Sequence, residues 1–493
     1  MKINRIMIAA PKSGSGKTVI TCALLQALKD SGWRTVSFKC GPDYIDPMFH
    51  EKVIGVPAEN LDTFFTGEEQ TRELFLKSAE GKDLAVMEGV MGLYDGLGGV
   101  REEGSSYHLA RVTRTPIILA VDAKGMGRSL ISLIAGFLAY DKERLIRGVL
   151  LNRISKGYYE ILKPLIEKEL EIPVAGYLPE QEELCIESRH LGLVMPGELE
   201  DIRHRMRTAS IKFSKTVSLE KIVGIAKEAQ ELNFPGETAS GKWKMGKADY
   251  VAEDAGAASR IIRRSGGSKV KEADRPVIAV ARDEAFCFYY ADNIRMLEES
   301  GAEIRSFSPL RDENLPEGCC GLLIGGGYPE LYAEKLSRNQ KMLAAVRDAA
   351  AGGMPVVAEC GGFMYLHSSI TDKEGICHNM AGVIPAACFY AGKLVRFGYV
   401  EIQEKQSFFL PRGEKIRGHE FHYYDSTDNG NGAIAIKPVT GKDYSCMIED
   451  ETHWMGFPHL YYPSNPMFAR SFVAKTLKYK NSLVTNSCKQ ELE

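Results

Sequence analysis

The chain has 493 residues, with 62 Lys and Arg against 65 Asp and Glu and a formal net charge of −3. At about 100–200 residues per domain, this length predicts two to four domains with substantial cores. A hydrophobic fraction of 44% and a charged fraction of 26% exclude disordered and fibrous classes. The balanced charge argues against a nucleic-acid binder, and no apolar run reaches the roughly 20 residues of a membrane span.

Taken in chain order, Ile3 to Ala10 reads as a buried strand that runs into a glycine-rich loop, so it is not a signal peptide and a cytoplasmic location is expected. Thr18 to Ser31 reads as a helix closed by Gly32, and Thr35 to Cys40 as a second strand. Further strands are expected at Leu84 to Glu88, Pro116 to Asp122, Gly148 to Asn152 and Val174 to Tyr177. Strands alternating with helices predict an α/β fold with a mostly parallel sheet covered on both faces. Residues 233–273 turn to Gly, Ser, Lys, Glu and Asp, which marks a linker with a helical stretch around 257–264. A second α/β domain then starts with PVIAVA at Pro276 to Ala281, a helix at Asp292 to Ser300 and a strand at Gly321 to Ile324. The expected organisation is therefore an N-terminal domain over 1–232, the linker, a second domain over 274–476 and a frayed polar tail over 477–493. Eleven scattered cysteines with no CxxC pair suit a reducing compartment.

The loop APKSGSGKT, between the first strand and the first helix, has the place and composition of a nucleotide-phosphate loop. Gly14 and Gly16 let backbone N–H groups converge on phosphate oxygens, Lys17 supplies charge, and the Thr18 hydroxyl can ligate Mg²⁺. Pro11 stands where the full pattern has its first glycine, so the loop is a variant. Lys12 makes it resemble KGGxGKT of the deviant Walker family, whose extra lysine reaches nucleotide across a dimer; a solvated loop lysine is the competing reading. Carboxylates follow at expected strand ends, where a parallel sheet places its ligands: Asp43 and Asp46 in KCGPDYIDPMFH, Glu88 in VMEGVMGLYDG, and Asp95 beyond it. Near a phosphate loop such groups bind Mg²⁺ directly or through water.

KCGPDYIDPMFH, MEGVMGLYDG, ESRHLGL and RGHEFHYY together resemble the cobyrinic acid a,c-diamide synthases, relatives of dethiobiotin synthetase fused to a glutamine amidotransferase. The resemblance covers all but the linker and tail. It implies ATP-dependent amidation of carboxylates on a corrin ring, with ATP and Mg²⁺ as cofactors, cobyrinic acid and L-glutamine as substrates, and no nucleic-acid or membrane partner. It carries Asp43, Asp46 and Glu88 onto positions tied to the metal and to carboxylate phosphorylation, with Thr18, Asp43 and Glu88 as the metal set. Asp95 falls on a position tied to a later step of amide formation. Asn152, in GVLLNRI, resembles the residue that holds adenine in the dethiobiotin synthetase relatives; a turn asparagine is the competing reading. Lys12 leaves a homodimer open.

In the second domain, Pro355 to Phe363 is an apolar strand, a cysteine, two glycines and a helix-like run. That is a nucleophile elbow in thiol form, in which the following helix N-terminus is expected to lower the thiol pKa. ECGGFMYL resembles the class I glutamine amidotransferases, which implies a flavodoxin-like domain with Cys360 as nucleophile. His459, in WMGFPHLYYP, matches the family histidine and becomes the base. Tyr461 stands where many relatives carry the glutamate that orients this histidine, which leaves the orienting group unidentified. Gly326 and Gly327, in GGGYPE, resemble the loop whose N–H groups stabilise the oxyanion. His419 and His422 invite a zinc reading, but their three-residue spacing between expected strands is not the helical HExxH pattern. Water destroys an acyl phosphate, so a shielded route for ammonia is expected. The rival readings are the same chemistry on another tetrapyrrole, such as nickel sirohydrochlorin or hydrogenobyrinic acid, and a regulatory P-loop ATPase.

Overall fold

The computed structural model describes residues 2–180, 196–232 and 275–490. Two compact units emerge, Met1–Trp243 and Lys244–Glu493. The expected linker over 233–273, with its helical stretch, and the ESRHLGL motif at 187–193 lie outside the described residues.

Among the described residues, the first unit holds seven parallel strands: β1 (Arg5–Ala9), β2 (Thr35–Cys40), β3 (Ala58–Leu61), β4 (Leu84–Glu88), β5 (Ile117–Asp122), β6 (Ile146–Asn152) and β7 (Val174–Leu178). Their order is β3-β2-β4-β1-β5-β6-β7, so β1 sits between β4 and β5. Continuous apolar strands such as RIMIA and IILAVD are what a sheet buried on both faces requires. Alternation along β1 sends Met7 and Ala9 into one core with Phe38 and Leu119, and Ile6 and Ile8 into the other with Leu24 and Phe213. The strand β3, which the sequence reading did not anticipate, has the sequence AENL and pairs with β2 at the sheet edge. Edge pairing there is a matter of neighbouring backbone and not of β propensity.

Arg5 is fully buried at the start of β1. Its guanidinium donates to the carbonyls of Ile3 and Thr113 at 2.7 Å, Arg114 at 3.2 Å and Gln230 at 2.5 Å. Burial foremost, with Arg114 nearby, lowers its pKa to about 10.

In the second unit a six-stranded sheet runs Glu303–Phe307, Val277–Ala281, Cys319–Ile324, Val356–Glu359, His453–Gly456 and Ile448–Glu449, parallel except for the last pair. Numbering the parallel strands along the chain gives the order 2-1-3-4-5, the flavodoxin-like arrangement. An antiparallel sheet follows, in which Lys415–His422 pairs with both Arg396–Glu404 and His459–Leu460. The expected frayed tail is corrected: the helix Met467–Gln490 runs through it. No Gly or Pro interrupts that stretch, Tyr479 packs on the core, and Lys480 donates to the Arg275 carbonyl at 2.9 Å. Among the described residues no helix is long and apolar enough to cross a membrane.

Candidate active sites

The phosphate loop connects β1 to the helix α1 (Lys17–Asp30). Gly14 and Gly16 take φ of 73° and 88°, a left-handed backbone that favours glycine. At Gly16 a second reason applies, because a Cβ there would lie 2.3 Å from Asn152 Nδ2. Asn152 donates from that nitrogen to the Ser15 carbonyl at 2.9 Å. The residue expected against adenine therefore braces the loop from the end of β6. Lys17 is buried and donates to the Met91 carbonyl and, at 3.4 Å, to that of Lys12. Burial foremost, then the neighbouring Lys39, lowers the Lys17 ammonium to about 8. The Lys12 side chain is exposed.

Thr18, Asp46 and Glu88 come together as the motif spacing suggests, and Lys39 joins them. Thr18 Oγ1 donates to Glu88 Oε1 at 2.6 Å and lies 3.4 Å from Asp46 Oδ2. Lys39 Nζ lies 2.8 Å from the same Glu88 oxygen, donates to Asp46 and stands 3.9 Å from Asp43 Oδ2. The other Glu88 oxygen faces His50 Nε2 at 3.3 Å, and His50 Nδ1 meets Ser37 Oγ at 2.9 Å. Burial acts to raise Glu88, but Lys39 and then His50 outweigh it and hold the carboxyl well below its usual range. Asp46 goes the other way, pushed up by burial and by the charge of Glu88. Burial acts against the Lys39 ammonium as well, yet Glu88, Asp46 and Asp43 outweigh it and raise its pKa.

One ammonium set against three carboxylates leaves negative charge in a space lined with oxygen donors, which suits a hard divalent cation. Among the described residues no three His, Cys, Asp or Glu side chains converge into a metal cage. Two carboxylates and the Thr18 hydroxyl fit Mg²⁺, which keeps much of its own water. Asp43 and Asp95 are placed differently. Asp43 Oδ1 accepts from the backbone N–H groups of Ile45 and Asp46 at 2.8 and 3.2 Å, capping the short helix Ile45–Phe49. Asp95 is exposed and accepts from the Gly92 N–H at 3.0 Å. The sequence reading missed Lys39, His50 and Ser37; a buried lysine in the strand TVSFKC is the one signal it offered.

In the second unit the strand Val356–Glu359 ends at Cys360, and the helix Gly361–Leu366 starts at once. Cys360 takes φ 49° and ψ −103°, the strained turn of an elbow. Glycines are required on both sides of it. A Cβ on Gly362 would lie 1.9 Å from the Ile324 carbonyl oxygen, and one on Gly361 would lie 2.8 Å from Pro329 Cδ and 3.1 Å from the Gly327 nitrogen. Gly361 and Gly327 backbones thus approach one another beside the nucleophile, which adds Gly361 to the oxyanion candidates. Gly326 serves His459 instead, since a Cβ there would lie 2.3 Å from the imidazole Cε1.

The expected lowering of the thiol pKa is corrected. Burial pushes the Cys360 thiol far up, Glu330 adds to this, and the Gly361 N–H opposes it without prevailing. A six-residue helix is a weak counterweight to full desolvation. His459 is buried too, and burial, then His419 and His422, hold it well below the usual imidazole value. Its ring stacks on that of His419, with centroids 4.9 Å apart and planes at 16°, and Tyr290 Oη meets His419 Nδ1 at 3.1 Å. The hydroxyl of Tyr461 donates to Asp292, which also pairs with Arg295. His419 and His422 lie on the strand Lys415–His422, where His422 stacks on Phe457 with centroids 4.0 Å apart.

Residues 6–193 match the CobQ/CobB/MinD/ParA nucleotide binding domain, and residues 277–457 the CobB/CobQ-like glutamine amidotransferase domain. Fold and sites thus define a nucleotide-binding synthetase unit joined in one chain to a glutamine amidotransferase unit. The chain is 40% identical over 458 residues to the cobyrinate a,c-diamide synthase of Caldanaerobacter subterraneus subsp. tengcongensis, covering 92% of this chain and 94% of that one. It is 37% identical over 478 residues to the enzyme of the same name from Priestia megaterium, covering 96% and 97%. The corresponding values for that of Listeria innocua are 38% over 471 residues, covering 94% and 97%. The chain belongs to the cobyrinate a,c-diamide synthase family.

Proposed function

We propose that this chain amidates the a and c carboxylates of cobyrinic acid, using ATP and the amide nitrogen of L-glutamine, in the cytoplasm. The observation that carries this reading is the presence of both half-sites in one chain: a phosphate loop whose Thr18 meets Glu88, and a thiol elbow at Cys360.

In the amidotransferase half, Cys360 Sγ attacks the side-chain carbonyl of glutamine as its proton passes to His459. His459 returns that proton to the departing ammonia, leaving a thioester. A water then attacks the thioester, with His459 taking its proton, and glutamate leaves. Backbone N–H groups of Gly361 and Gly327 face the oxyanion of each addition. In the synthetase half, a corrin carboxylate oxygen attacks the γ-phosphorus of ATP and ADP departs, giving an acyl phosphate. Ammonia attacks the acyl carbon and phosphate leaves, so one amide forms for each ATP and each glutamine consumed. Lys17 holds phosphate charge, and Lys39 keeps Glu88 and Asp46 ionisable within a buried space. Mg²⁺, held by Thr18, Glu88 and Asp46, supplies neutralisation of the transferring phosphoryl group.

The test is amidation of cobyrinic acid followed by mass, with glutamine or free ammonia as nitrogen source. Cys360→Ala is expected to lose glutamine-driven amidation and keep the ammonia-driven reaction. Equal activity with both sources in that variant would discard the reading.

A further inference from the structure

A cavity of about 660 Å³ opens beside the elbow, with Glu330, Asp372, Glu374, His378, Tyr390 and Tyr424 in its lining. Its inner wall is shared with the nucleophile. Glu330 directly follows Pro329, the residue that a Cβ on Gly361 would strike, and Tyr424 lies in the same buried cluster as Cys360. Of the charged side chains, Glu330 acts most strongly on the Cys360 thiol.

The remaining charged groups of the lining have counter-charges of their own. Asp372 pairs with His378 at 3.0 Å, Glu374 with Lys373 at 3.7 Å, and Glu334 with Arg338. Among the described residues Glu330 has no cationic partner: its carboxyl is met only by its own backbone N–H, and burial raises it to about 7. A desolvated carboxyl without a counter-charge is costly, and it becomes favourable once a ligand brings a cation.

We infer that this cavity receives the α-amino acid end of glutamine, with Glu330 pairing the substrate's α-ammonium. The inference rests on the glutaminase reading of Cys360 and adds to it the determinant that selects an amino acid over a simple amide. It has a second consequence. Once its charge is matched by the substrate, Glu330 no longer opposes thiolate formation, so the nucleophile is favoured when glutamine is seated.

Two alkylating agents separate the roles in the full chain. With 6-diazo-5-oxo-L-norleucine, which carries the amino acid end, the thiol proton passes to the diazo carbon, sulfur bonds that carbon and N₂ leaves. With iodoacetamide, which lacks that end, sulfur displaces iodide and the proton goes to solvent. Labelling of Cys360 is followed by mass spectrometry in the unaltered chain and in Glu330→Gln. The diazo reagent is expected to react about 10- to 100-fold more slowly in the variant, the loss of one charge-assisted hydrogen bond, while iodoacetamide reacts at least as fast. Unchanged labelling by the diazo reagent, or an equal slowing of both reagents, would overturn the assignment. Failure of the diazo reagent to label Cys360 in the unaltered chain would instead remove the glutaminase reading, and this inference with it.

Discussion

The N-terminal unit keeps charge in a buried place by pairing it, whereas the C-terminal unit buries its reactive groups and strips their charge. Lys39, Asp46 and Glu88 lie within hydrogen-bonding distance of one another and offset each other's desolvation. Cys360, His459 and Glu359 are just as buried, and each is shifted toward its neutral form. The chemistry explains the difference. Phosphoryl transfer handles charge that arrives with the substrate, so ions fixed in advance are useful from the start. A thiol needs its charge only while glutamine is bound, and an idle thiolate is open to oxidation.

The contrast is most easily broken at Glu88. Glu88→Ala leaves Lys39 with less counter-charge and removes the acceptor for Thr18, so amidation is expected to fall about 10²- to 10³-fold with glutamine and with ammonia alike. A loss confined to glutamine would contradict this assignment. Next comes Gly326→Ala, where the added methyl collides with the His459 ring. Glutamine-driven amidation is expected to fall about 100-fold through displacement of the base, with ammonia-driven turnover kept; equal loss in both assays would place Gly326 outside the glutaminase site.

A smaller effect concerns Lys17. Its ammonium titrates at about 8 in the free chain, and pairing with phosphate raises that value, so binding takes up a proton above pH 8. Affinity for ADP measured by calorimetry should therefore weaken by up to about tenfold per pH unit beyond that point. An affinity that stays flat on the alkaline side would show that Lys17 is not the phosphate contact.

The smallest effect is on stability. Burial foremost, against the Leu460 backbone and Tyr462, raises Glu359 from the usual 4.5 to about 8. The folded state thus holds a proton that the unfolded chain releases. The stability this contributes is complete below pH 4.5 and is lost as pH rises through 8. Glu359→Gln should gain on the order of 2 kcal/mol relative to the unaltered chain at pH 8 and little near pH 5. Thermal melting at the two pH values checks this, and an equal difference at both would reject it.

Local patterns carried much of this architecture. GSGKT between a strand and a helix, and ECGG after an apolar strand, each announce a backbone conformation that few other residues permit. Lys39 was illegible for the opposite reason. Nothing in TVSFKC says that its ammonium will meet Asp46 and Glu88, because those contacts exist only once β2 and β4 are adjacent. The same holds for Asn152, whose bond to Ser15 joins distant parts of the chain, and for Glu330, which reads as the end of a turn motif until the cavity beside it is seen. The thiol pKa was misjudged because sequence displays the helix that follows Cys360 but not the depth at which the sulfur is buried.

The fourfold grip of Arg5 bears on how the synthetase unit can be cut free for separate study. The nucleotide-binding family match stops at residue 193, yet Arg5 reaches forward to the carbonyl of Gln230, and Phe213, Ile222 and Leu232 complete the two cores. A fragment ending at the family boundary would strand a buried guanidinium short of an acceptor and strip one face of the sheet. The smallest self-sufficient piece is therefore set by the last carbonyl that Arg5 needs and the last side chain its cores bury, and it extends through Leu232.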